Sequence, residues 1–110
     1  MPILYKVLGQ AHPAGTTEVN LYTVPTGADT IVSTLSITNV TASPASARVW
    51  VRVAGAATAH VNAILFDVPI PANTVVAFTI GLTLDVTDIV TVRSSVGNSL
   101  TFQLFGSEIS

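Results

Sequence analysis

The chain contains no cysteine. Disulfides and thiolate metal sites are therefore excluded, and its 110 residues must hold together by burial and hydrogen bonding alone. Charge is scarce as well. Asp, Glu, Lys and Arg make up 9 % of the residues, against about 25 % in ordinary soluble domains. Four cations and a net charge of −2 argue against nucleic acid as a partner, because so few scattered cations cannot neutralise a phosphate backbone. No apolar run approaches the ~20 residues of a membrane-spanning helix; Thr, Pro or Asp interrupts each one. Met1–Val7 lacks the basic region and apolar segment of a secretory signal, so synthesis and use without secretion are expected. The sequon Asn39-Val40-Thr41 then reads as a chance match.

Catalytic patterns are missing too. No serine lies in Gly-x-Ser-x-Gly. His12 and His60 are not paired by spacing, and neither His-x-His nor His-x-x-x-His occurs, so no metal or cofactor is expected. Asp67, Asp85 and Asp88 fall at strand ends, where aspartate commonly binds its own turn backbone. The pair Asp85 and Asp88 lacks the dense ligand run of a dedicated calcium loop. The glycines form turns and show no phosphate-cradling pattern.

What the chain has is apolar and small polar residues. Hydrophobic residues are 49 % of it, and Thr, Ser, Asn and Gly supply much of the rest. A chain this size buries roughly 60–70 % of its unfolded surface, enough for one domain spanning 1–110. A surface of Thr, Ser and Ala gives a free monomer little colloidal protection, which points to life inside an assembly.

The alternation has period two throughout. Strands are expected over 3–8, 19–24, 30–40, 48–53, 60–68, 74–84, 89–94 and 100–105, separated by Pro, Gly, Asn and Asp turns. In 30–40, Ile31, Ser33, Leu35 and Ile37 share one face. In 74–84, Val76, Phe78, Ile80, Leu82 and Leu84 share an apolar face. Leu100, Phe102 and Leu104 do the same near the C-terminus. No capped 3.6-residue stripe is present, so no helix is expected. Seven or eight strands at this spacing predict an all-β fold, a two-sheet antiparallel β-sandwich of immunoglobulin-like or jelly-roll topology.

Two stretches are candidate contact sites. In Ala47–Ala54, Val49, Val51 and Val53 point to one face, while Arg48, Trp50 and Arg52 point to the other. Trp and Arg are enriched in interface hot spots, so Arg48, Trp50 and Arg52 are expected to form a protein contact face. The second stretch holds Ile3, Leu4 and Tyr5. Residues 1–17 read as an N-terminal arm plus loop, with Gly9, Pro13 and Gly15 separating the strand-like Ile3–Leu8 from the sandwich. Such a strand can pair at home or reach a neighbouring subunit.

The segments Leu21-Tyr-Thr-Val-Pro-Thr-Gly27, Ile31-Val-Ser-Thr-Leu-Ser-Ile-Thr-Asn39 and Ala47-Arg-Val-Trp-Val-Arg-Val53 are similar to those of tailed-bacteriophage virion structural proteins. The order continues through Asp67-Val-Pro-Ile-Pro-Ala-Asn-Thr74, Gly81-Leu-Thr-Leu-Asp85 and Phe102-Gln-Leu-Phe-Gly-Ser-Glu-Ile109, so the resemblance spans about Val7 to Ile109. It implies a small β-sandwich that assembles without catalysis. The expected role is a capsid decoration, or cement, protein that binds the head surface as a symmetric oligomer, a homotrimer by analogy. Its partners would be itself and other virion proteins such as the major capsid protein. A neck, tail or baseplate accessory protein is the alternative within the class, and a glycan-binding fibre module the alternative outside it.

Overall fold

A computed structural model describes residues 3–110. The strands are β1 (Ile3–Ala11), β2 (Val19–Thr23), β3 (Asp29–Asn39), β4 (Ala45–Arg52), β5 (Ala63–Ile70), β6 (Val75–Phe78), β7 (Leu82–Leu84), β8 (Ile89–Ser94) and β9 (Leu100–Ile109). Two 3₁₀ turns, Val53–Gly55 and His60–Asn62, join β4 to β5. The first sheet has the order β1-β9-β3-β6, with β7 also paired to β3; the second has the order β2-β8-β4-β5.

These pairings decide the topology. The strands β6 and β7 both run antiparallel to β3, at Leu35–Thr38 and at Thr30–Val32, so they act as two halves of one strand. The first strand then pairs with the last, β2 with β8, β3 with β6 and β7, and β4 with β5. This is one long antiparallel hairpin wrapped on itself, closed by the β3–β9 and β4–β8 ladders. The result is a jelly roll, one of the two topologies the strand pattern left open.

The core lies between the sheets. Phe102, Leu104, Leu35, Ile37, Val32, Val49, Val90, Val92, Leu100 and Ile70 are fully buried there. Phe78 is only partly buried and packs against this cluster from β6, so it is a weaker core residue than its alternation implied.

Strand β3 departs from strict alternation. Its register with β9 slips between Val32 and Thr34, leaving Ser33 as an extra residue in a β-bulge. Thr30 and Val32 face the core before the bulge, and Leu35 and Ile37 after it. Ile31 is therefore turned outward and 44 % exposed, contrary to the face expected for it. The run 74–84 keeps its predicted face but breaks at Thr79–Gly81, where Leu82 N donates to Ile80 O at 3.0 Å. The expected strand 60–68 begins instead as a 3₁₀ turn and runs as β5 to Ile70.

The N-terminal stretch is not a detached arm in the single chain. Strand β1 pairs with β9 of its own sheet from Ile3 to Ala11, so Gly9–Ala11 of the expected loop belong to it. Met1 and Pro2 of the expected arm lie outside the described residues.

Two polar clusters lock the ends of the sandwich. Asn39, buried at the end of β3, donates from Nδ2 to Ser43 O at 2.9 Å and to Ile70 O at 3.1 Å. Its Oδ1 accepts from Thr41 N at 2.9 Å and Thr41 Oγ1 at 2.8 Å. One side chain thus satisfies both turns that flank it. At the other end, the Tyr22 hydroxyl on β2 donates to Glu108 Oε2 on β9 at 2.5 Å and lies 2.7 Å from Thr30 Oγ1 on β3. Lys6 Nζ adds an ion pair to Glu108 at 3.3 Å. The cluster ties the two sheets together.

This cluster makes stability pH-dependent. Burial, and then the Glu108 carboxylate, push the Tyr22 hydroxyl from its ordinary 10.0 up to about 12. The Tyr22 hydrogen bond, and then Lys6, hold the Glu108 carboxyl below its usual range. A raised folded pKa means that the tyrosine contribution is intact below pH 10 and lost as pH rises through about 12. The lowered Glu108 value works in the opposite direction, with stability lost as pH falls through it. Tyr22→Phe is expected to remove most of the alkaline fall in the urea midpoint between these limits. Equal alkaline slopes for wild type and Tyr22→Phe would contradict this assignment.

Candidate functional site

The expected contact face on β4 is covered. Thr58 Oγ1 donates to the Glu18 carboxylate beside β2 at 2.9 Å, and Ala63 then pairs with Trp50 on the opposite edge of the second sheet. The segment between must cross the outer face over β8 and β4. It passes the row Asn20–Thr91–Trp50–Ala63, and Trp50 is left 3 % exposed. Trp50 is thus a packing residue of an outer layer rather than an open platform.

Its two arginine neighbours are engaged locally. Arg52 Nε donates to Ala56 O at 2.7 Å, Nη2 to Gly55 O at 3.1 Å and Nη1 to Asn20 Oδ1 at 3.2 Å, clamping the crossing segment to the sheet. Arg48 makes a two-pronged ion pair with Asp67, at 2.6 and 3.1 Å, and stacks 4.0 Å from the Phe66 ring centre. Opposite Arg48, β5 carries an extra residue, and Asp67 takes φ +55° there. His60 meets the Phe66 ring edge-on at 5.0 Å. Sequence spacing could not bring Phe66 and His60 to Arg48, because the bulge and the 3₁₀ turn set their positions.

An open apolar face lies instead on the first sheet. Thr30 and Val32 point into the core, so Ile31 points out. Register then aligns Ile3 with Ile109 and Asp29, and Tyr5 with Ser107, Ile31 and Thr83. A third row aligns Val7 with Phe105 and Thr34. Ile3, Val7 and Ile31 are exposed, Tyr5 is 84 % exposed, and Phe105 and Ile109 are half-buried. Leu4 is exposed on the other side of β1, in register with Glu108. Of the sequence-derived contact residues, Ile3, Leu4 and Tyr5 are therefore open to solvent, whereas Arg48, Trp50 and Arg52 are tied into the second sheet.

Among the described residues, this face holds no Lys or Arg side chain. The Lys6 side chain reaches Glu108, Arg48 reaches Asp67, Arg52 holds the crossing segment, and Arg93 Nε donates to Thr16 O at 2.7 Å. Charge enters at the margin, where Asp29, Asp85 and Asp88 line an open depression of about 540 Å³ together with Ile31 and Ile109. A hydrogen bond with Asp85 raises the Asp29 carboxyl above its ordinary value. Among the described residues, no three His, Asp or Glu side chains converge as a metal cluster would require. The face is apolar, with hydroxyls and carboxylates at its rim.

A chain in the structure of infectious bursal disease virus, Gx strain, superposes on 97 % of this protein with a TM-score of 0.52 and 14 % identity. The likeness is one of fold. This protein spans 31 % of that chain's length. No family model matches the sequence, and no curated protein matches it.

Proposed function

We propose that this protein is a non-enzymatic structural component of a virion, most specifically a decoration protein that cements the head of a tailed phage as a homo-oligomer. The observation that carries the reading is the apolar outer face of β1, β9 and β3 on a jelly-roll sandwich. Jelly rolls serve viral capsids, lectins and cupins alike, so the surface must discriminate among them. A lectin needs an exposed aromatic platform; Trp50 and Tyr22 are buried, which leaves Tyr5 as the one exposed candidate of the three. A cupin needs converging metal ligands. A shell protein needs a broad, uncharged contact face, which the first sheet offers. The fold likeness to a viral chain supports the same reading.

Purified protein is expected to co-sediment with emptied, expanded phage heads and to run in solution at a multiple of its 11.4 kDa chain mass. Three copies is the number the phage resemblance implies. Binding to isolated tails alone would favour a neck or tail role. Retention on host glycans, with neither particle bound, would overturn the structural reading. So would a monomer at micromolar concentration that binds no particle.

A further inference from the structure

Four strand edges are exposed in the two sheets, and three carry features that block pairing. Strand β5 contains Pro69 and the Asp67 bulge. Strand β2 has five residues and a register slip between Asn20 and Tyr22. The edge formed by β6 and β7 is interrupted at Thr79–Gly81. Strand β1 is different. It has nine residues without proline, and its register with β9 is unbroken from Ile3 to Val7; the bulge comes after, at Leu8. The residues Ile3–Val7 are exposed on both faces of the strand.

We propose that two copies of this protein pair antiparallel through the free edges of β1, about a two-fold axis at Tyr5. The proposal rests on the oligomeric reading above and names a two-fold contact, which closes at two copies rather than the three that the resemblance implies. The stretch is self-complementary in this register. Tyr5 lies opposite Tyr5 of the second copy, Ile3 opposite Val7, and Leu4 opposite Lys6. Moving the axis to Lys6 would set two ammonium groups face to face, which is unfavourable for directly opposed strand residues. Moving it to Leu4 would carry Tyr5 off the axis and set Lys6 against Pro2. With the axis at Tyr5, each copy also keeps its own Lys6–Glu108 ion pair. A two-fold perpendicular to the sheet keeps Ile3, Tyr5 and Val7 of both copies on one side, so the two apolar faces become one. An isologous contact of this kind is the commonest between identical chains, and edge pairing adds main-chain hydrogen bonds to the apolar contact.

The absence of cysteine makes the test direct. Tyr5→Cys is expected to give a covalent dimer on oxidation or with a short bis-maleimide, because directly opposed Cβ atoms lie about 4.5–5.5 Å apart. Thr83→Cys, on the same outer face but on β7, is expected to stay uncross-linked. Ile3→Cys and Val7→Cys are each expected to cross-link poorly alone and efficiently when mixed, which reports the register. Tyr5→Lys is expected to weaken self-association at least tenfold with an unchanged far-UV spectrum. Mixing it with Tyr5→Asp is expected to restore association. Cross-linking of Thr83→Cys as efficient as that of Tyr5→Cys would overturn the proposal, as would failure of the Ile3 and Val7 mixture. A Tyr5→Lys protein that keeps the wild-type mass would overturn it too, while leaving the oligomeric reading in place through another surface. A wild-type monomer would remove both.

Discussion

Phe102→Ala is expected to cost about 3–5 kcal/mol, a large share of the stability of any domain this size. The ring is fully buried near the middle of the core. Its strand, β9, is flanked on both sides, by β1 and β3, with Phe102 in register with Ala11 and Ile37. Neither ladder can close over the vacated volume without breaking hydrogen bonds on the other. The loss of transfer free energy and the residual cavity therefore add. Phe78→Ala provides the internal comparison. That ring is half-buried on β6, a four-residue edge strand that can relax inward. A smaller cost, about 1.5–2.5 kcal/mol, is expected there from partial burial. Urea unfolding of both variants checks the pair. Equal losses, or a Phe102 loss under ~1 kcal/mol, would contradict the assignment of the core to the β9 row.

The strands were legible in the sequence because sandwich strands alternate, and the turns between them carry Pro, Gly, Asn and Asp. Phe102, Leu104, Val90 and Val92 all lie where alternation puts them. The β3 faces were not legible before the bulge. Ile31 and Val32 are neighbours of equal hydrophobicity, so composition gives no reason to prefer one inward. An extra residue at Ser33 reverses the choice. A signal for the bulge was present on another strand. Gly106 stands inside the strand run Leu100–Ile109, and glycine inside a strand marks a bulge or a close backbone approach.

The candidate surface was legible in part for a similar reason. Ile3, Leu4 and Tyr5 are open because β1 is a sheet edge, and an N-terminal apolar strand is visible as such in the sequence. The burial of Trp50 was not visible, because its cover comes from Ala54–Asn62, a stretch of small residues with no alternation to read. That cover depends on contacts far apart in the chain, Thr58 with Glu18 and Arg52 with Asn20. The joining of Ile31 to the surface of Tyr5 and Phe105 likewise depends on the bulge and on the β1–β9–β3 order, which only the closed topology sets.

Gly106→Ala is expected to destabilise the protein by about 3 kcal/mol or more, although it adds a single methyl group. A Cβ at Gly106 would sit 2.1 Å from Ile31 O, 3.0 Å from Ile31 C and 3.0 Å from Val32 Cα. All three are backbone atoms of β3, so no side chain can rotate away. To make room, β9 and β3 must separate where they are already distorted by the Ser33 bulge. These two strands share the longest ladder in the molecule, from Asp29–Ile109 to Asn39–Leu100. Overpacking in a well-packed interior ordinarily costs about 1–3 kcal/mol, and a rigid backbone neighbour at this distance places the site at or above the top of that range. Gly15→Ala is the matched control, since a Cβ there meets nothing within 4 Å. In chemical denaturation the Gly106→Ala midpoint is expected to fall well below wild type, and that of Gly15→Ala to stay within about 0.5 kcal/mol. If Gly106→Ala matches the control, the close approach of β9 to the bulge is wrong. The outward placement of Ile31 on the first sheet would then fall with it, because that placement follows from the bulge that Gly106 accommodates.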